Sequence, residues 1–339
     1  MSSSNKTILI TGANGYIAKH IVKQALDAGY NVVGTVRSTE KGEDLANLVK
    51  TDKFSYEVVT SLDQKGAYDK PLKSHPEVSI LIHAASPLDF TVKDPLNEMI
   101  IPAIEGVKIL FDSIMENAPQ IERVVLTSSI VAIGILQGSS VVGGPYSEED
   151  WNPITIEQGA KDNFSAYFAS KTFEEKAAWK YIEDEKPNFS LSTVAPGLVV
   201  GPQAFEEEGN AGIQASTSGF ISALLKLTLS DEIPSGFGDF VDVRDVARIH
   251  ILAFELDSAK GERLLACSSA YNYARAIEVI KKTLPEYESK LPTGSAEALK
   301  PRENFFNTEK TRRLLGFKFI DIDTSIADQM KQLHGSKNK

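Results

Sequence analysis

The stretch Thr11-Gly12-Ala13-Asn14-Gly15-Tyr16-Ile17-Ala18 directly follows the apolar run Thr7-Ile8-Leu9-Ile10 and leads into a helical pattern ending at Ala28. Strand, glycine turn and helix in this order constrain the fold more than any other feature of the chain. Gly12 suits a tight turn, and Gly15 lets backbone approach a pyrophosphate. Ala18 takes the third small position, where helix meets strand. Asn14, Tyr16 and Ile17 surround the helix N-terminus, whose free N–H groups face the anion. The same order also fits an ordinary βα turn, so position alone leaves both readings open.

The β-branched run Val32-Val33-Gly34-Thr35-Val36 reads as a second strand. An acidic residue near this strand end would bind a ribose 2′-hydroxyl and select NAD. Instead Arg37 closes the strand and Lys41 follows one helical turn later. Two cations there suit a 2′-phosphate and imply NADP(H); the alternative is two solvated surface charges. Strands follow at Phe54 to Val59 and Ser79 to His83, the latter apolar enough to be central in a parallel sheet. Ala84 and Ala85 then leave room for a ligand at the strand's carboxyl end. His83 reads better as a satisfied, partly buried histidine than as a catalytic group.

Asp94 to Asn117 has helical spacing, with Pro102 implying a kink or a late start. Arg123 to Thr127 is a fifth strand, residues 134 to 164 read as loop, and Ser165 to Glu185 is a long helix. Ser190 to Val194 is a sixth strand. The repeated βα order predicts an α/β fold with a doubly wound parallel sheet and helices on both faces. Past residue 196 the alternation breaks down. Residues 1–196, with roughly 236–268 woven back in, are expected to bind the cofactor. Roughly 197–235 and 269–339 are expected to form a smaller α/β substrate domain.

With 339 residues there is room for both domains. The net charge of -10 and the lack of a basic stripe disfavour a nucleic-acid partner. No apolar run is long enough to span a membrane, and neither a signal peptide nor an anchor is expected at the N-terminus. The one cysteine, Cys267, excludes an intrachain disulfide and a cysteine-based metal cluster, so no metal site is expected and a cytoplasmic setting fits best. A monomer and a homodimer are equally compatible with the sequence.

Tyr167 and Lys171 lie four apart, hence on one face of a helix. Of the ten tyrosines, Tyr167 alone has a lysine at that spacing. A free phenol, with a pKa of ~10, is a poor acid near neutrality, and a neighbouring ammonium draws a phenol toward the useful range. A hydroxyl at the end of the fifth strand would bind the same carbonyl oxygen. Ser129 is preferred there over Ser128, with Thr127 third. Taken alone, the tyrosine and lysine could equally be solvent-facing; beside the glycine turn and the Thr-Ser-Ser strand end they point to catalysis.

Thr11-Gly12-x-x-Gly15-x-x-Ala18, Leu126-Thr127-Ser128-Ser129, Tyr167-Phe168-Ala169-Ser170-Lys171 and Phe240-Val241-Asp242-Val243-Arg244-Asp245-Val246-Ala247 together resemble the extended short-chain dehydrogenase/reductases. More closely, the chain resembles fungal NADPH-dependent aldehyde and ketone reductases of the dihydroflavonol-4-reductase type, including methylglyoxal/isovaleraldehyde carbonyl reductases. The resemblance runs from about Lys6 to Leu333. Arg37-Ser38-x-x-Lys41, Trp151-Asn152-Pro153 and Gly201-Pro202-Gln203 are its more specific markers.

This resemblance implies a Rossmann-type fold and a Ser129-Tyr167-Lys171 triad that reduces small-molecule aldehydes or ketones with NADPH, leaving NADP+. It also implies a 2′-phosphate clamp of Arg37 and Lys41, nicotinamide ribose contacts from Tyr167 and Lys171, a carboxamide-side loop at Pro196 and Val199, and a later phosphate contact at Ser218. Ser61 before Leu62 stands where relatives often place an acidic residue beside the adenine. Leu88, Phe90, Ile130, Phe164 and Leu198 would make an apolar substrate wall, although each could equally be core. The runner-up enzyme is a nucleotide-sugar epimerase or dehydratase. From another class, the alternative is a non-catalytic NADP-sensing regulator.

Overall fold

The structure is a computed structural model that describes residues 6–86, 88–137, 140–208, 219–234, 237–295, 299 and 303–337. In chain order, β1 (Thr7–Thr11), α1 (Tyr16–Asp27), β2 (Asn31–Val36), α2 (Thr39–Val49), β3 (Phe54–Val58), α3 (Asp69–Ser74), β4 (Val78–His83), α4 (Ile101–Asn117) and β5 (Arg123–Thr127) realise the alternating pattern. A hairpin of β6 (Ile135–Gln137) and β7 (Ser140–Val142) comes next. It is followed by α5 (Ile156–Gly159), α6 (Asn163–Glu185), β8 (Ser190–Pro196), β9 (Leu198–Val200) and α7 (Gly219–Leu224). The chain continues through β10 (Phe237–Asp242), α8 (Val243–Glu255), β11 (Arg263–Ala266), β12 (Ser269–Asn272), α9 (Tyr273–Thr283), α10 (Glu309–Leu315) and α11 (Ile322–Lys337).

Seven strands form one Rossmann-type sheet in the order β11-β8-β5-β4-β1-β2-β3. The neighbours from β8 to β3 pair in parallel. Every residue of β1 is buried, and β2, β4, β5 and β8 are buried along nearly their whole length. That is the signature of strands covered on both faces. Leu9, Leu81, Val124 and Leu126 pack with Val107, Leu110, Phe111 and Ile114 of α4 and Ala178 of α6. The chain order reverses between β1 and β4, so their carboxyl ends open the crevice where doubly wound sheets bind ligands.

The chain divides into two compact units. The first comprises Met1–Ile133, Glu148–Ala195 and Ala247–Leu264, and the second Gly134–Ser147, Pro196–Val246 and Leu265–Lys339. Within the second, β10 pairs β12 antiparallel and β9 in parallel. Its own core joins Phe240 and Val200 to Ile277 and Ile280 of α9 and Ile326 and Met330 of α11.

Several elements differ from the sequence expectation. The stretch expected as loop holds the β6–β7 hairpin and α5, whose pieces are three or four residues long and too short to show a period. Strand β10 was hidden because Asp239 and Asp242 occupy fully buried positions in it. Those carboxylates are used: Asp239 accepts the Phe305 and Phe306 N–H groups, and Asp242 accepts the Arg244 guanidinium. Pro102 gives the late start. A π turn, Leu96–Ile100, precedes α4, and the proline falls in the first turn, where its missing N–H costs nothing.

Candidate active site

The glycine turn lies at the β1–β4 crevice. Gly12 has φ +63, and a Cβ there would meet Ala85 Cα at 3.0 Å, so both conformation and space require glycine. Thr11 Oγ1 accepts the Ala84 and Ala85 N–H groups, each at 3.1 Å, and sits 2.8 Å from His83 Nδ1. With its lone pairs so used, the hydroxyl donates to His83. The His83 ring is buried and its pKa is pushed down to about 3, by burial first and the Lys171 charge second. It is therefore a neutral core histidine, as the sequence suggested.

Helix α1 opens at Gly15 with no side-chain cap and no acidic residue in its first turn, which leaves its positive end to an anion. A cleft of about 460 Å³ runs over Gly12, Asn14 and Gly15 to Arg37 and Lys41, with Leu62, Ala84 and Ala85 on its other wall. Tyr16 and Ile17 occupy the first turn of α1 outside this lining. Arg37 is exposed and makes no ion pair or hydrogen bond among the described residues, whereas Lys41 reaches Asp44 at 3.8 Å. Ser38 caps α2 by accepting the Lys41 N–H at 3.3 Å. Ser61 donates to Asp63 at 2.5 Å and does not line the cleft. Sequence reasoning missed Thr35, Val36, Val59 and Ser86, which also line it. A groove floored by glycine backbone, closed against any Cβ and ending at an unpaired guanidinium fits an NADP dinucleotide.

Asp162 caps α6 by accepting the Ser165 N–H at 2.8 Å, which fixes the rotation that presents Tyr167. The Tyr167 hydroxyl lies 3.4 Å from Ser129 Oγ. The three hydroxyls at the end of β5 are sorted by their partners. Thr127 Oγ1 meets His250 Nε2 at 2.8 Å, Ser128 donates to Glu175 at 2.6 Å, and only Ser129 faces Tyr167. Lys171, 7% exposed, donates to the Thr127 carbonyl at 3.0 Å and to Glu174 Oε2 at 2.8 Å.

The apolar positions separate. Ile130 is buried, in the 3-10 turn Ile130–Ala132, whereas Leu88, Phe90 and Phe164 are exposed. Asn163 Nδ2 donates to the Phe90 carbonyl at 2.7 Å and the Val92 carbonyl at 3.1 Å, holding that loop against α6. The Phe90 ring then sits 5.9 Å from that of Tyr167, edge to face. Leu198, Pro196 and Val199 belong to the second unit, where Leu198 packs on its apolar core. Ser218 lies outside the described residues.

Supports behind the triad were also missed. Asn152, from the Trp151-Asn152-Pro153 marker, donates its side-chain amide to Val131 O at 2.8 Å and its backbone N–H to Ala132 O at 2.9 Å. These bonds pin the turn that begins at Ser129. Arg263 stacks 3.7 Å from the Trp151 ring and pairs with buried Glu175 at 2.8 Å. Burial pushes the Glu175 carboxyl up, but Arg263, Ser128 and Thr193 outweigh it and the net direction is down. The only sequence signal was two glutamates on a helix face that also carried Lys171.

The chain matches the model of the NAD dependent epimerase/dehydratase family over residues 8–272 and belongs to that family. It is 44% identical over 341 residues to GRP2 of Candida albicans, provisionally named an NADPH-dependent methylglyoxal reductase, across 98% of this chain and 100% of that protein. Over 335 residues it is 34% identical to the NADPH-dependent methylglyoxal reductase GRE2 of Saccharomyces cerevisiae, covering 96% of this chain and 98% of GRE2. The crystal structure of yeast methylglyoxal/isovaleraldehyde reductase Gre2 with NADPH superposes with a TM-score of 0.91 at 33% identity, over 98% of this chain and 99% of that one.

Proposed function

We propose that this chain is an NADPH-dependent carbonyl reductase that converts aldehydes or ketones to alcohols. The observation that carries the reading is the Tyr167 hydroxyl 3.4 Å from Ser129, on the helix turn that also brings buried Lys171 to the end of β5. One carbonyl oxygen fits within hydrogen-bond reach of both hydroxyls. NADPH, when bound, supplies the hydride from nicotinamide C4 to the carbonyl carbon. Tyr167 gives its proton to the oxygen as negative charge develops there, and Ser129 donates a hydrogen bond to the same atom. With two N–H bonds committed to Thr127 and Glu174, Lys171 keeps its third for the nicotinamide ribose.

The first unit is the cofactor domain. Gly12, Asn14, Gly15 and the first turn of α1, with Tyr16 and Ile17, hold the pyrophosphate, and Arg37 and Lys41 hold the 2′-phosphate. Leu62 would lie beside the adenine, Ser61 is turned to Asp63 outside the cleft lining, and Ala84 and Ala85 leave space along the dinucleotide. By the family resemblance, Pro196 and Val199 are assigned to the carboxamide, Ser218 to a phosphate and Leu198 to the substrate. Exposed Leu88, Phe90 and Phe164, and buried Ile130 next to Ser129 in the chain, favour apolar and aromatic substituents. The protein acts in the cytoplasm, as a monomer or a homodimer. An epimerase or dehydratase of the same family is disfavoured by Arg37, since those enzymes hold NAD and have no 2′-phosphate to pair.

A panel of methylglyoxal, isovaleraldehyde and aryl ketones, assayed with NADPH and with NADH by nicotinamide absorbance, tests this. Oxidation of NADPH that depends on the carbonyl, with NADH far weaker, is expected. No oxidation with any carbonyl would leave only the regulator or epimerase readings.

A further inference from the structure

Buried Lys171 has a second partner besides the Thr127 carbonyl. One turn further along α6, the Glu174 carboxylate meets it at 2.8 Å, with side-chain exposures of 9% for Lys171 and 2% for Glu174. The adjacent buried acid, Glu175, already pairs with Arg263, so Lys171 and Glu174 form a separate pair of their own. Among the described residues, the other influences on Glu174 are a Ser86 hydrogen bond and the Glu175 charge, neither of them a cation. His83 of β4 is neutral through burial, and Tyr68, at the start of α3, feels the Glu174 charge with its buried hydroxyl unpartnered among the described residues. Burial is the largest influence on the Glu174 carboxyl and sets its net direction, which is up; the Lys171 ammonium in direct contact at 2.8 Å pulls against it and is the group that favours the carboxylate.

Resting on the reductase reading, we infer that Glu174 is a positioning residue that anchors Lys171 and offsets its charge, setting the Tyr167–Lys171 pair to give a proton rather than take one. A bare ammonium acts on a nearby phenol as a point charge and favours its ionised form. An ammonium in contact with a carboxylate acts at that range as a dipole, whose field falls off faster. The pair is thereby biased toward giving a proton to a carbonyl oxygen rather than taking one from an alcohol. Desolvating both ions is offset by their direct contact and by the Thr127 carbonyl, which also fixes where Nζ sits.

The test compares pH profiles of kcat/KM for carbonyl reduction and for oxidation of the product alcohol by NADP+ in the full-length wild type, Glu174→Gln, Glu174→Ala and Glu174→Asp, with Tyr167→Phe as control. Gln keeps the size and an acceptor without the charge, Ala guards against a folding defect peculiar to Gln, and Asp restores the charge. Removing the charge should move the basic limb of reduction and the acidic limb of oxidation to lower pH by about one unit. The KM for NADPH should change by less than about threefold, whereas a general loss of binding through disturbed structure would raise it further. The Asp variant should return toward wild type. If the Gln and Ala profiles superimpose on wild type while Tyr167→Phe is inactive, the inference fails and the reductase reading stands. If Tyr167→Phe reduces carbonyls normally, both fail.

Discussion

At the scale of single residues, the account rests on which hydroxyls and charges have partners. Thr127 and Ser128 spend their hydroxyls on His250 and Glu175, which leaves Ser129 and Tyr167 facing each other. Loss of a positioned proton donor typically costs about 10²–10⁴ in rate. Tyr167→Phe should therefore lower kcat by roughly that range with NADPH affinity nearly unchanged, read by steady-state kinetics beside a fluorescence titration of NADPH. Arg37→Ala should weaken NADPH by about tenfold or more and NADH hardly at all, because a charge-assisted hydrogen bond is worth about 1.5–3 kcal/mol. Equal losses for both cofactors would refute the 2′-phosphate contact. Arg263→Ala strands the fully buried Glu175 carboxylate and should cost about 3–5 kcal/mol, measured by urea unfolding.

At the scale of elements, the parts legible in the sequence were those whose chemistry is local. The β1 run, the Gly12 and Gly15 turn and the Tyr167-Lys171 spacing each follow from a few consecutive residues, and all lie where expected in the fold. Strand β10 was not legible because Asp239 and Asp242 break its apolar pattern, and only the distant Phe305 N–H and the Arg244 guanidinium explain them. Glu174 stands one turn from Lys171, but that spacing equally fits a solvated surface pair, and only the packed fold shows both to be buried. Ser61 shows the limit in the other direction. The resemblance puts it beside the adenine, whereas its hydroxyl turns to Asp63 and it does not line the cleft. For the turn itself, Gly12→Ala forces a Cβ to within 3.0 Å of Ala85 Cα at a φ of +63. It should cost about 1–2 kcal/mol in folding and weaken both NADPH and NADH, since the whole crevice shifts.

At the scale of the molecule, buried His83 and the buried aspartates Asp239 and Asp245 respond oppositely to mild acid. His83, in the first unit, has its pKa pushed down to about 3 by burial, below its unfolded value of ~6.5. Its contribution is present above the unfolded value and is lost as pH falls from there toward 3. Asp239 and Asp245, in the second unit, are pushed up to about 6, by burial first. Their contribution is complete below the unfolded value of ~3.9 and is lost as pH rises through about 6. Lowering the pH from about 7 to about 5 should thus reduce hydrogen-exchange protection in β4 and increase it in β10, after correction for intrinsic rates. Movement of both in one direction would contradict these assignments. The first unit's crevice serves hydride transfer completed by a tyrosine proton, and reduction of a carbonyl by NADPH carrying deuterium on both faces of nicotinamide C4 is the decisive experiment. Deuterium should appear on the carbinol carbon of the alcohol with wild type, and the labelled alcohol should form about 10²–10⁴ times more slowly with Tyr167→Phe while NADPH still binds. An unlabelled alcohol, or labelled alcohol formed at the wild-type rate by the phenylalanine variant, would contradict it.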